Sequence, residues 1–265
     1  MSAEVPMTVP GGLRRLVREV SVLTSDGACR ERHPLVHVPE TDTCLIFRTT
    51  ATGRGDLLVA GPRTRASYHV GKDFPLCLRL RLRPGAARPL LGVAVSELVD
   101  RVVGLGELWG GRADRLTTAL TRAGGDAALA LKHLEAALRD RIAAQPAADL
   151  SRGDLVRVAA EALRVRPGLR REPLPAVARR LAVSERHLRD LFADGVGLPP
   201  KRYERIARLR QVLAGGANGT GRRWGQLAAA TGYYDQSHMT AEFRTLMGVT
   251  PTAYFSGRLP APQPC

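Results

Sequence analysis

Between positions 76 and 83 the chain alternates strictly, with Leu76, Leu78, Leu80 and Leu82 interleaved with Cys77, Arg79, Arg81 and Arg83. A period of two places the leucines on one face of a β-strand and the other set on the opposite face. Shorter runs containing β-branched residues at 18–24, 44–49, 57–60 and 67–70 are broken by Gly, Pro, Asp and Thr. They predict the strands of a small antiparallel barrel or sandwich, which Pro84-Gly85 closes. The period then changes. A short helix is expected at 96–103 and a fuller one at 112–123. A third, at 126–144, sets Leu131, Leu134, Leu138 and Ile142 three and four apart on one face. That stripe fits two roles, packing on the strands or joining a second copy of the chain. Gln145-Pro146 ends the helix and marks a domain boundary. From 154 onward the pattern is helical only, save a glycine-rich connector at 215–221. The predicted fold class is α+β: an antiparallel β domain with trailing helices over 1–146, then an all-α domain over 150–258.

Within the helical half a unit repeats. Phe192, Gly197, Pro200 and Tyr203 recur as Phe243, Gly248, Pro251 and Tyr254, each 51 positions later. At the same offset His187 falls on His238, Leu188 on Met239 and Ser184 on Asp235. Self-similarity at a fixed offset means two copies of one supersecondary unit. In the first copy Ser184 is suited to cap a helix N-terminus, and Leu188, Leu191 and Phe192 form its buried stripe. Gly197 suits the left-handed end of that helix, and Pro200 suits the first turn of the next. A short helix at 174–181 and a corner at Ala182-Val183 precede the cap, so the unit reads as a helix-turn-helix. The second copy runs as a helix at 224–231, a corner at 232–234 and a helix at 235–247. A rigid helix at 200–213 joins the two. The paired aromatics and Trp224 are expected in the core. His187 and His238 are expected beside the buried stripe, satisfied within each unit.

Charge sharpens this picture. Forty Lys+Arg oppose twenty-five Asp+Glu, a formal net charge of +15, which favours polyanionic partners. Residues 1–150 hold 21 basic and 16 acidic groups, whereas 151–265 hold 19 and 9, so the excess lies in the helical half. Only Lys72, Lys132 and Lys201 are lysines. Cys29, Cys44, Cys77 and Cys265 are widely spaced with no CxxC pair, as expected of reduced thiols. The first residues lack a basic-then-apolar leader, and no apolar run reaches membrane-spanning length. A cytoplasmic location is expected, without metal or cofactor.

The stretch from Gly232 to Phe255, GYYDQSHMTAEFRTLMGVTPTAYF, resembles the signature of the AraC/XylS family of transcription regulators, and the upstream copy with its joining helix is similar too. Residues 80–93, with the ELVDRV and LGELWG segments that follow, resemble the cupin-like sensor region of some members. The resemblance implies a sequence-specific DNA-binding regulator, non-enzymatic, whose two recognition helices enter successive major grooves of double-stranded DNA. It also implies RNA polymerase as a partner, and modulation by a small-molecule effector or by homodimerisation through the first domain. Spacing turns Glu185, Arg186 and Arg189 outward on the first recognition helix. The resemblance assigns Arg186 and Arg189 to base edges, where arginine's fork matches guanine O6/N7. Asp190 departs from the basic residue common in the family. On the second helix the outward positions are Gln236, Ser237, Thr240 and Ala241. Gln236 suits adenine, Ser237 and Thr240 suit phosphate, and Ala241 stands where relatives commonly carry arginine. The further phosphate candidates are Ser184, Arg179, Arg180, Lys201, Arg202, Arg205, Arg222, Arg223 and Arg244.

Rival readings rest on less. A metal-dependent cupin-type enzyme needs a ligand cluster, for which the chain offers His33, His37 and Glu40 with a separate His69, interrupted by Pro34 and Pro39. An alkyl-transfer repair protein needs an activated thiolate, and Cys29 has only Arg30 and Arg32 nearby. An architectural DNA-binding protein would act without a sensor.

Overall fold

The computed structural model describes residues 4–23, 34–50, 52–70, 74–164, 172–217 and 224–263. The described residues of the first half form eight strands: β1 (Glu4–Met7), β2 (Val17–Leu23), β3 (Pro34–His37), β4 (Cys44–Thr49), β5 (Gly55–Ala60), β6 (Ser67–Val70), β7 (Leu76–Leu82) and β8 (Val102–Gly104). Six form an antiparallel sheet in the order β1-β2-β7-β4-β5-β8, and β3 pairs with β6 in a separate two-stranded sheet. The alternating strand, β7, is central. Leu80 lies opposite Val20 on one side and Leu45 on the other, and the four leucines are 0–2% exposed. Its arginine face is not simply solvated. Arg81 is 9% exposed and pairs with Glu40, while Arg18 pairs with the buried Asp42. Cys44 and Cys77 are buried free thiols; Cys29 and Cys265 lie outside the described residues.

One expected helix is corrected. Residues 96–103 divide into a 3-10 turn, Val95–Leu98, and strand β8, whose Val102 and Val103 pair with Ala60 and Val59 of β5. The β-branched pair Val102-Val103 completes a sheet edge that four helical residues would have left unpaired. Strand structure therefore continues past Pro84-Gly85.

The helices are α1 (Ala87–Leu91), α2 (Leu105–Trp109), α3 (Gly111–Arg122), α4 (Ala127–Ala143), α5 (Ala147–Ala162), α6 (Leu174–Arg180), α7 (Glu185–Val196), α8 (Pro200–Ala217), α9 (Trp224–Ala230), α10 (Gln236–Met247) and α11 (Pro251–Phe255). Asp126 caps α4 by accepting from the backbone N–H groups of Ala128 and Leu129. The leucine stripe of α4 belongs to the sheet core, because Leu131, Leu134 and Leu138 are buried there with Ile142 packed at the margin. It is not a free surface for a second chain.

Two further cores follow. Val156 and Ala159 of α5, with Leu163 at its C-terminal cap, join Val177, Leu188, Phe192, Tyr203 and Ile206. Farther along α8, Leu209 and Val212 join Ala228, Met239, Phe243 and Leu246. Helix α8 thus serves both cores. It is also longer than expected, since it runs through Gly215 and Gly216 to Ala217. Those glycines are packing positions rather than breakers: a Cβ at Gly216 would strike the Phe255 ring, and one at Gly215 would come within 2.6 Å of Leu227. Among the described residues no helix is long and apolar enough to cross a membrane.

Candidate nucleic-acid interface

Each unit of the repeat begins with a short helix and a tight corner. Between α6 and α7 the Val183 N–H donates to Ala178 O at 3.1 Å, and Ala182 holds φ +54°. Between α9 and α10 the Tyr233 N–H donates to Ala228 O at 2.9 Å, and Gly232 holds φ +77°. The corners match, but the second has one residue more before its cap. That residue is Tyr234, 93% exposed.

The caps form as the residue types demand. The His187 N–H donates to Ser184 Oγ at 3.1 Å, and the His238 N–H donates to Asp235 Oδ1 at 2.7 Å. Each satisfies a donor that the first helical turn leaves without a partner. At the far ends Gly197 and Gly248 take φ +84° and +75°, the left-handed conformation that Gly adopts without a Cβ penalty. Leu188, Leu191 and Phe192 are buried beneath α7, as are Met239, Phe243 and Leu246 beneath α10. Phe192 packs edge-on to Tyr203, and Phe243 packs edge-on to Tyr254.

The opposite faces are polar and open. On α7, Arg186 and Arg189 are exposed, and Arg189 reaches back to Glu185 at 2.7 Å. An exposed i,i+4 pair of this kind contributes only about 0.3–0.5 kcal/mol, so it yields readily to a stronger acceptor. On α10, Gln236, Ser237 and Ala241 are exposed and Thr240 is half-buried. With Arg244 and Thr245 they line a shallow depression of about 710 Å³.

The phosphate candidates divide. Arg179, Lys201, Arg202 and Arg244 are exposed. Arg180 is held by Glu172 through two hydrogen bonds at 3.0 and 3.2 Å. Arg205 donates through Nε to the buried Glu242 at 2.9 Å, which makes it a structural group. Arg222 and Arg223 lie outside the described residues. Both histidines differ from expectation: His187 and His238 are exposed, and the His238 ring packs against Tyr233. In the caps it is their backbone N–H groups that serve the fold.

Sequence reasoning missed the network around Glu242. Its carboxylate accepts from Arg205, Arg208 and the Tyr233 hydroxyl, fastening α10 to α8 and to its own corner. Burial, and then the Glu242 charge, push the Tyr233 hydroxyl well above its ordinary range, so it stays a donor. A lone acidic residue between Ala241 and Phe243 gave no local signal of this. Tyr234 was findable by comparing corner lengths, two residues against three.

The ligands offered to the enzymatic reading do not converge among the described residues. Glu40 is taken up by Arg81 and by Arg210 of α8. His37 lies near His69, with ring centroids 5.4 Å apart, and burial followed by Arg63 lowers its pKa to about 4. His33 lies outside the described residues. Among those described, no three potential ligands converge.

Two capped helices with open polar faces, mounted on one shared helix, agree with a family model described as a helix-turn-helix domain, which matches residues 177–257. The C-terminal part of the chain is a DNA-binding helix-turn-helix domain of the AraC type. Its match begins within α6 and ends just past α11, so the AraC-type domain includes both units and the helix joining them. Among solved structures, the chain is similar to the C-terminal domain of AraT, a response regulator from Geobacillus stearothermophilus, at 24% identity. That match covers 40% of this chain and 88% of AraT's domain, with a TM-score of 0.34. A DNA-binding transcriptional dual regulator from Escherichia coli K-12 is 20% identical over 40% of this chain and 94% of its own, with a TM-score of 0.32. ToxT from Vibrio cholerae O395 is 8% identical over 92% of this chain and 98% of its own, with a TM-score of 0.42. No curated protein sequence matches the chain.

Proposed function

We propose that the chain is a sequence-specific transcription regulator, divided near residue 146, that reads duplex DNA with α7 and α10. The observation that carries this reading is the pairing of two N-capped helices, open on their polar faces, on a single 18-residue helix. At 1.5 Å per residue α8 is about 27 Å long, the scale needed to offer two helices to major grooves one turn, about 34 Å, apart. One polypeptide then does what a symmetric dimer of single units does. Arg186 and Arg189 read bases through α7. Gln236 supplies the main base contact from α10, with Ser237 and Thr240 at the backbone and Ala241 limited to steric contact. Arg179, Lys201, Arg202 and Arg244 meet phosphate. The N-terminal domain carries the response to an effector, and RNA polymerase is the partner through which transcription is altered.

A binding selection on randomised duplex DNA tests the assignment. Arg186→Ala and Arg189→Ala should each lose about 1–3 kcal/mol on the preferred sequence and much less on random DNA. Ala241→Arg should gain affinity for a subset of sequences. Equal losses on specific and random DNA would place those arginines at phosphate and remove α7 as the principal reader.

A further inference from the structure

A cleft of about 750 Å³ lies where the N-terminal domain meets α5. Five arginines line it: Arg14 and Arg15 after the first 3-10 turn, Arg83 just past β7, Arg139 on α4 and Arg157 on α5, with Asp154 as the only acidic side chain among the described lining residues. Arg157 is neutralised by Asp154 at 3.1 Å, and Arg83 donates through Nε to the Arg14 carbonyl. No ion pair among the described residues involves Arg14, Arg15, Arg83 or Arg139. Four cationic groups therefore share one concavity in which Asp154 is the one lining carboxylate among the described residues, with Glu135 of α4 beside Gly12 and Arg139 at its margin, although Coulomb repulsion alone would separate such long side chains. Its lining also includes the apolar side chains of Leu16, Pro89, Ile142 and Leu150.

We infer that this cleft is a binding site for a small molecule carrying two or more negative charges, a phosphate ester or a polycarboxylate, on a compact apolar body. The guanidinium fork accepts the paired oxygens of either group. Four cations outside any ion pair of the described residues, against the single nearby carboxylate of Glu135, call for more than one charge, and the volume falls within the usual range of small-molecule sites. A concavity lined in part by aliphatic side chains suits a metabolite better than the backbone of a duplex. Helix α5 also turns a different face to the second core. Val156 and Ala159 pack under α7, whereas Gly153, Asp154 and Arg157 line the cleft.

The walls belong to both domains, and their spacing is tightly set. A Cβ at Gly85 would collide with the Gly153 carbonyl, so α5 sits backbone to backbone on the turn after β7. On its other side α5 touches α7 closely enough that a Cβ at Gly195 would come within 2.8 Å of Val156. An anion bridging Arg14, Arg15 and Arg139 to Arg157, drawn from its exposed pair with Asp154, would hold α5, and with it the first recognition helix, in this position. The site itself stands on charge and shape; its role as the effector site rests on the function proposed above.

Calorimetric titration of the full chain without DNA tests the site, using pyrophosphate, citrate and octanoate as probes. Pyrophosphate or citrate should bind at one to one, and octanoate at least tenfold more weakly. Arg15→Ala combined with Arg139→Ala alters exposed side chains that make no hydrogen bond among the described residues, and should weaken binding at least tenfold with the thermal midpoint preserved. Arg186→Ala combined with Arg202→Ala, on the DNA-reading side, should leave it unchanged. The proposal falls if neither multivalent anion binds at millimolar concentration, or if octanoate binds as well as they do. It also falls if the DNA-side variant loses as much as the cleft variant, or if the cleft variant loses random-DNA binding in parallel. A site that binds anion while the chain ignores DNA would overturn the regulatory role and leave the site.

Discussion

Asp42 is a buried carboxyl facing more than one charge. Its Oδ2 accepts from Arg18, while Oδ1 is buried without a partner. Arg81, Arg210 and Glu40 are its other charged neighbours. Burial, and then the Glu40 charge, raise its pKa from 3.8 to about 7, against the pull of Arg18. Between those two values the folded chain holds a proton that the unfolded chain has released. Asp42 therefore favours the fold fully below pH 4, and that contribution drains away as pH rises toward 7. The slope is at most about 1.4 kcal/mol per pH unit for one proton. Asp42→Asn keeps the shape and an oxygen toward Arg18 but carries no charge. Its stability relative to the native chain should improve steadily from pH 5 to pH 7.5 in thermal or urea unfolding. Parallel pH profiles for the two proteins would show that Asp42 is already ionised in the fold.

Helix α8 shows how an element can be misjudged from composition. Gly215 and Gly216 look like a break, yet the helix continues because neighbouring elements leave no room for side chains there. Phe255 lies over Gly216, itself packed against Trp224, Tyr254 and Phe243. Alanine is the better helix former by about 1 kcal/mol, but here overpacking should win, by about 1–3 kcal/mol. Gly216→Ala is expected to destabilise the chain in urea unfolding. A stabilised variant would mean that the ring does not cover this turn. Helix α4 illustrates the opposite ambiguity. Its stripe at three- and four-residue spacing is the same whether it packs on a sheet or on another chain. Only the neighbours decide, and Leu134 and Leu138, at 0% and 2% exposure, face the sheet domain.

Across the whole molecule the N-terminal half grips both helix-turn-helix units at the rear. Arg88 pairs with Asp194 near the end of α7. The Ala66 N–H and the Tyr68 hydroxyl donate to Leu246 O and Met247 O at the end of α10, at 2.8 and 2.6 Å. Glu40 reaches Arg210 of α8 at 3.3 Å. All of these lie away from the capped N-terminal ends where DNA would be read. A fragment of residues 150–264 keeps nearly all of the second and third cores, losing only marginal cover from Val36, Val38, Ala66 and Val99. It should fold, with a lower unfolding midpoint than the same domain has in the full chain. It should also bind duplex DNA with an affinity that falls steeply with salt, by a log–log slope of about 0.9 per phosphate neutralised. A folded fragment without salt-dependent DNA binding would refute the regulator reading.

What the sequence determined alone was whatever depends on neighbours a few positions apart. The alternation of β7, the caps at Ser184 and Asp235, the left-handed glycines and the fixed offset between the two units are all local, and the chain writes them directly. The outward faces of α7 and α10 followed from the same short-range geometry. Tertiary structure decided what depends on residues far apart. It made Val102-Val103 an edge strand, placed the α4 stripe in the sheet core and carried α8 through its glycines. It turned Arg205 from a phosphate candidate into a partner of Glu242, 37 positions away, and drew five arginines from four separate segments into one cleft. An arginine in a sequence carries its charge but not its address. Whether it meets carboxylate, phosphate or water is set by which distant segments fold against it, and no periodicity encodes that.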